Sequence, residues 1–150
     1  RDMETESRKF LDEWFEGWRR TDLLYDRFLK RHGLNLTTYF VLELLYRHPE
    51  GVEPAVIAEK VFVLRQTVTV VLNEFEKRGF IRRCESQEDH RRKRILLTKS
   101  GRAFIGGVCS ELAAIEEEAL AEIPVETRRA GLELMRRFAG SFGEIMECGK

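Results

Sequence analysis

A chain of 150 residues with 43% hydrophobic and 35% charged residues is long enough to bury one domain's core. It has no apolar run of about 18 residues, which excludes a transmembrane helix. Its start, RDMETESRKF, lacks the apolar centre of a signal peptide. The 26 bases and 26 acids cancel overall, but they are not evenly spread. Residues 76–102 hold ten bases and four acids, a local excess of +6, whereas residues 111–150 hold nine Glu against five bases, −4. A basic stretch on a neutral protein favours a polyanion at one place only. Cys84, Cys109 and Cys148 form no CxxC pair, and His32, His48 and His90 are scattered. That pattern points to reduced thiols in a cytoplasmic protein and to no disulfide frame, metal site or cofactor. No G-x-S-x-G, P-loop, H-E-x-x-H or dinucleotide loop is present, so no enzyme is expected.

In chain order, Phe10, Leu11, Trp14, Phe15, Trp18, Tyr25, Phe28 and Leu29 recur at three- and four-residue steps, predicting a helix over 6–31 that Gly33 ends. So heavy a stripe predicts protein on both faces. Thr37 is the expected N-cap of a helix over 38–48, with Leu36 as a staple residue before it. This helix is apolar nearly all round and is expected at the centre. Pro49-Glu50-Gly51 is a turn, and Val52 a candidate short strand beside a hairpin. Pro54 opens a helix over 54–61. Phe62-Val63-Leu64 then connects to a helix over 65–78, where Val68, Val71, Leu72 and Phe75 form the inward stripe. Gly79 ends it at C′. Residues 80–85 and 93–97 read as a hairpin whose tip is Ser86 to Arg92. Thr98 caps a helix over 99–123, Pro124 breaks it, and a last helix covers 126–146. The expected fold is mostly α with a small β wing.

A helix, a tight turn, a second helix and a basic hairpin make a DNA-reading module. Arg65, Gln66, Thr69 and Asn73 fall on the outer face of the 65–78 helix, together with Val70 and Lys77. Arg suits guanine, Asn or Gln adenine, and Thr or Val a thymine methyl. The plainer alternative is a solvated amphipathic face. Arg91, Arg92, Lys93 and Arg94 place charge where a hairpin reaches phosphates or a narrow minor groove, against the alternative of a solvated turn. Arg82 and Arg83 alternate on a strand and point to opposite faces, so only one can meet DNA.

The order of elements, with Leu72-x-x-Phe75-Glu76-Lys77-Arg78-Gly79-Phe80-Ile81-x-Arg83, then Asp89-x-Arg91, then Leu97-Thr98-x-x-Gly101, resembles the MarR (multiple antibiotic resistance regulator) family of bacterial transcription factors. The motifs cover 36–101 and the helix order covers the whole chain. The resemblance implies one chain, 1–150, with a winged helix-turn-helix region at 36–98. It also implies an intertwined dimerisation region from helices in 6–33 and 99–148. The partners it implies are double-stranded DNA, a second copy of the chain and a small aromatic effector. In this pattern the 65–78 helix enters the major groove, a wing arginine the minor groove, and Asp89 pairs with Arg91 to stiffen the tip. The first two helices flank the family's effector pocket, which makes Trp14, Trp18, His32 and Tyr39 candidate lining residues. Core or interface packing is the commoner role for such aromatics. The chain departs from the family at Leu64-Arg65, where a Ser-Arg pair is frequent, at Val70, where arginine is frequent, and at Ser86, where aspartate is common. Two other roles remain open: a winged-helix interaction dimer without specific DNA binding, and a regulator switched by oxidation at Cys84, set against an inert thiol.

Overall fold

The computed structural model describes residues 2–85, 88, 89 and 91–149, with only the backbone of 2–4. Ser86, Gln87 and His90 of the expected wing tip lie outside the described residues. Along the chain run α1 (Asp2–Lys30), α2 (Leu36–Arg47), α3 (Pro54–Val61), α4 (Arg65–Lys77), β1 (Ile81–Glu85), β2 (Lys93–Leu97), α5 (Lys99–Ala121) and α6 (Val125–Cys148). The chain divides into two compact units, Arg1–Cys109 and Ser110–Lys150.

In the first unit, Gly33 ends α1 with φ 70°, and the Leu34 N–H returns to the Leu29 carbonyl at 3.0 Å. The next helix starts earlier than the sequence suggested. Asn35, not Thr37, is its N-cap: Asn35 Oδ1 accepts from the Thr38 N–H at 2.9 Å, and the Asn35 N–H donates to Thr38 Oγ1 at 2.8 Å. This reciprocal box satisfies two backbone donors, which a cap at Thr37 would leave open. Leu36 is therefore the first helical residue rather than a staple. From α2, Tyr39, Val41, Leu42 and Leu45 are buried while Phe40 and Tyr46 are exposed, so the helix is central without being enclosed. It packs against α1, α3, α4 and β2.

Pro54 opens α3 at a position that needs no N–H. The helix stops at Phe62, whose backbone is left-handed at φ 59°, ψ 44°, with a side chain 93% exposed. After this turn, α4 buries Val68, Val71, Leu72 and Phe75 as expected. Gly79 at φ 75° ends it, and the Phe80 N–H closes on the Phe75 carbonyl at 2.9 Å.

The hairpin pairs Ile81 with Leu97, Arg83 with Ile95 and Glu85 with Lys93. Val52 does bridge its outer edge, exchanging both backbone hydrogen bonds with Ile95 at 3.0 and 2.8 Å. At the root of the hairpin, Thr98 Oγ1 donates to the Gly79 carbonyl at 2.6 Å and accepts from the Gly101 N–H at 3.0 Å, capping α5. The Thr98 N–H holds the Phe80 carbonyl at 2.9 Å. Gly101 is forced here by space: a Cβ on it would lie 2.0 Å from the Phe80 carbonyl oxygen.

In the second unit, α5 ends before Pro124 and α6 begins at Val125. The Arg128 guanidinium donates to the Ile123 carbonyl at 2.9 Å and to the Leu120 carbonyl, covering acceptors that the end of α5 leaves open. No residue of α6 is buried; Met135, Phe142, Ile145 and Met146 are all exposed. In the first unit α1 is similar over most of its length. Phe28 and Leu29 are buried, while Phe10, Phe15, Trp18, Leu23 and Leu24 are exposed.

Two stability outcomes follow from these geometries. Gly101→Ala drives a methyl into the backbone of Phe80 and lowers unfolding stability by about 3 kcal/mol, measured by urea titration followed by circular dichroism. Phe62→Gly removes an exposed ring and relieves the left-handed backbone. It raises stability by about 0.5–1 kcal/mol in the same assay, and a loss would show that the ring contributes packing.

Candidate nucleic-acid interface

Helix periodicity sets the outer face of α4. With Val68, Val71, Leu72 and Phe75 turned inward, Gln66, Val70, Asn73 and Lys77 stand opposite, flanked by Arg65 and Thr69. All six are exposed. The first turn of α4 carries no acid, and Leu64 gives it no side-chain cap. The Thr69 hydroxyl donates to the Arg65 carbonyl at 3.1 Å, which turns its methyl away from that bond. Among the described residues the Arg65 guanidinium makes no ion pair.

Asn73 is differently placed from its neighbours. Its Oδ1 accepts from Arg83 Nη2 at 3.0 Å, and Arg83 Nε donates to Glu76 Oε2 at 3.1 Å. Arg83 thus braces β1 against the outer side of α4 through the Asn73 side-chain carbonyl and the Glu76 carboxylate. Sequence reasoning placed Arg82 and Arg83 on opposite faces but could not say which met α4. The buried Ile81 decides it, because residues two apart on a strand share a face. Arg83 is a site residue that the sequence reading did not single out.

On the wing, Asp89 bonds to the backbone of the two residues that follow His90. Its Oδ1 accepts from the Arg91 N–H at 3.0 Å, and its carbonyl accepts from the Arg92 N–H at 2.9 Å. The guanidinium near its carboxylate belongs to Arg92 rather than Arg91. Arg92 lies 3.8 Å from both Asp89 and Glu53. Exposed pairs at such a distance hold little energy, so Arg92 stays available to an anion. Arg91 and Lys93 are exposed, and among the described residues the Arg91 guanidinium makes no ion pair. Arg94 instead turns back and donates to the Glu50 carbonyl at 3.4 Å.

The four candidate pocket residues differ in their surroundings. Trp14 is half-buried between Phe10 and Phe15, with ring centroids 5.9 and 6.2 Å away, and Trp18 is 61% exposed. His32 packs on the Phe28 ring at 5.2 Å. Tyr39 is buried and its hydroxyl donates to Cys109 Sγ at 3.7 Å. A cavity of 240 Å³ is lined by Leu44, His48, Val52, Lys60 and Arg94 among others, and one of 330 Å³ by Phe40, Leu44, Arg47 and Phe62 among others; none of the four candidates lines either. Cys84 is exposed on β1, with its Sγ 3.6 Å from the Glu85 carbonyl. Among the described residues, no group of three His, Cys, Asp or Glu is placed to hold a metal, and no helix is long and apolar enough to cross a membrane.

A profile of the MarR family matches residues 32–92, the segment that contains α2, α3, α4, the hairpin's first strand and its tip. The HTH-type transcriptional regulator PrsX of Escherichia coli is 35% identical over 79 residues, 52% of this chain and 48% of PrsX. The chain thus matches about half the length of that relative. The HTH-type transcriptional regulator SarZ of Staphylococcus aureus (strain USA300) is 30% identical over 106 residues, 71% of this chain and 68% of SarZ. The crystal structure of the MarR family transcription regulator SP03579 superposes with a TM-score of 0.80 at 19% identity, covering 98% of this chain and 99% of that one. The fold class is therefore that of the winged-helix regulators, and the matched relatives are transcriptional regulators rather than enzymes. With a family profile centred on the α3–α4 module and a relative aligned over two thirds of its length, the chain belongs to the MarR family.

Proposed function

We propose that this chain is a sequence-specific DNA-binding regulator of transcription that acts in the cytoplasm as a homodimeric repressor on a near-palindromic operator. The observation that carries this reading is the exposed polar face of α4, opposite its buried stripe and braced by Arg83 to a basic wing. Arg65, Gln66, Thr69 and Asn73 supply groove contacts, and Arg91, Arg92 and Lys93 neutralise phosphates or enter the minor groove. Asp89 fixes the tip that carries them.

The homodimer is supported by the apolar surface that one chain leaves open. Phe10, Phe15 and Trp18 on α1, and Phe142, Ile145 and Met146 on α6, are too many large exposed side chains for solitary helices. A two-fold pair would bury them and set two α4 helices in successive major grooves, about 34 Å apart. An aromatic effector that binds better to the DNA-incompetent arrangement would release the operator by population shift. Trp14, Trp18, His32 and Tyr39 are its candidate contacts.

Two experiments test these readings. Duplexes selected from a random pool are titrated by fluorescence anisotropy at several salt concentrations. The wild-type chain binds a recurrent, near-palindromic sequence, and its affinity falls steeply with salt. Arg91→Ala weakens binding to all duplexes and reduces the log–log salt slope by about one. Failure of any sequence to enrich would instead support an interaction dimer, to which the exposed Leu64 and Val70 would then belong. Sedimentation equilibrium reads the assembly: wild type runs at twice the chain mass, and Phe142→Glu with Ile145→Glu shifts it toward monomer. A monomeric wild type would remove the paired-groove geometry.

A further inference from the structure

We propose that α4 selects thymine through its 5-methyl group, with Val70 as the specificity-determining residue and Leu64 as a second apolar contact at the helix start. This inference rests on the DNA-binding reading above. Val70 is 70% exposed, within the outer face of α4, with Gln66 one turn before it and Asn73 one turn after. Leu64, at the N-cap, is 73% exposed.

Neither side chain contributes to the core, and a β-branched residue is not chosen for helix propensity. An apolar partner of matching size would remove the Val70 methyls from water. The polar residues around it narrow what that partner is. Asn73 Oδ1 holds Arg83 at 3.0 Å, which ties the amide to β1 and restricts its freedom to turn toward a bidentate adenine contact. Thr69 has its hydroxyl proton committed to the Arg65 carbonyl. The middle of the face presents a methyl from Thr69 and the two methyls of Val70 beside the polar groups of Asn73. In the major groove the apolar feature of a base edge is the thymine C5-methyl group. A protein partner fits less well, because a stable interface needs roughly 800 Å² per side, with an apolar centre. On α4 itself one valine stands among Gln66, Asn73 and Lys77, and Leu64 lies six residues before it at the helix start.

The test removes the methyl and nothing else. The full chain selects duplexes from a random pool, and each thymine of the enriched half-site is replaced singly by deoxyuridine, which pairs identically. Wild type loses about four-fold in affinity at one or two thymines per half-site, as expected for withdrawing one methyl from an apolar contact. In Val70→Ala that penalty disappears at one of those thymines; in Leu64→Ala it disappears at another, and a penalty unchanged there overturns the Leu64 contact. Circular dichroism confirms that both variants fold. An enriched site with no deoxyuridine-sensitive thymine overturns the inference while the DNA-binding reading stands. So does a penalty unchanged in Val70→Ala. If no sequence enriches, both fall together.

Discussion

Everything that positions the reading surface passes through one close junction. Thr98 ties the Gly79 carbonyl with its hydroxyl and the Phe80 carbonyl with its backbone N–H, and the same hydroxyl caps α5 by accepting from Gly101. Gly101 lies so close to Phe80 that no side chain fits between them. The end of α4, the start of β1, the end of β2 and the start of α5 are thereby fixed within a few residues of one another. The rings around this point are packed to match: Phe80 stacks on Phe104 with centroids 4.6 Å apart, and the Arg78 guanidinium lies over Phe80 at 4.8 Å. Backbone bonds of this kind leave few alternative orientations, so a helix and a hairpin that are far from rigid alone share one frame.

The Arg83 brace depends on that frame. Its partners, Asn73 and Glu76, are ten and seven residues away, and only a fixed angle between α4 and β1 keeps both within bonding distance. The brace changes the chemistry of α4 as well as its pose. An asparagine on an exposed helix face normally offers an acceptor and two donors. Here one lone pair of that acceptor is engaged by Arg83, which ties the amide to β1. The wing uses the same economy at its tip, where Asp89 organises the backbone of Arg91 and Arg92 and leaves the Arg91 side chain to whatever approaches.

Much of this architecture is legible in the sequence because it is written in local chemistry. Pro54, Gly79 and Thr98 each announce a helix end by properties of their own backbone or hydroxyl, and the limits of β2 follow from its polar tip and its cap. The start of α2 was misread because both Asn35 and Thr37 can cap, and the choice rests on the Thr38 hydroxyl returning to Asn35. The role of Arg83 was hidden for another reason: alternation shows that two strand neighbours diverge, but only the packing of Ile81 says which one meets α4. The aromatic stripe of α1 predicts protein on both faces, and of the large residues described there Phe28 and Leu29 are buried within the chain. Periodicity identifies surface that needs covering without naming what covers it.

The exposed apolar residues of α1 and α6 differ in kind from Val70 on α4, and the difference is physical. On α1 and α6 they recur turn after turn as large side chains, a pattern that can form the continuous dry centre of a subunit interface. On α4 the apolar group is a single small valine within a polar face, which cannot supply such a centre. A surface of that composition suits a partner that is itself polar and charged with isolated methyl groups, and the major groove of DNA has that description. The contrast supports the proposal that the long helices associate and α4 recognises DNA, on the size and neighbours of the exposed side chains.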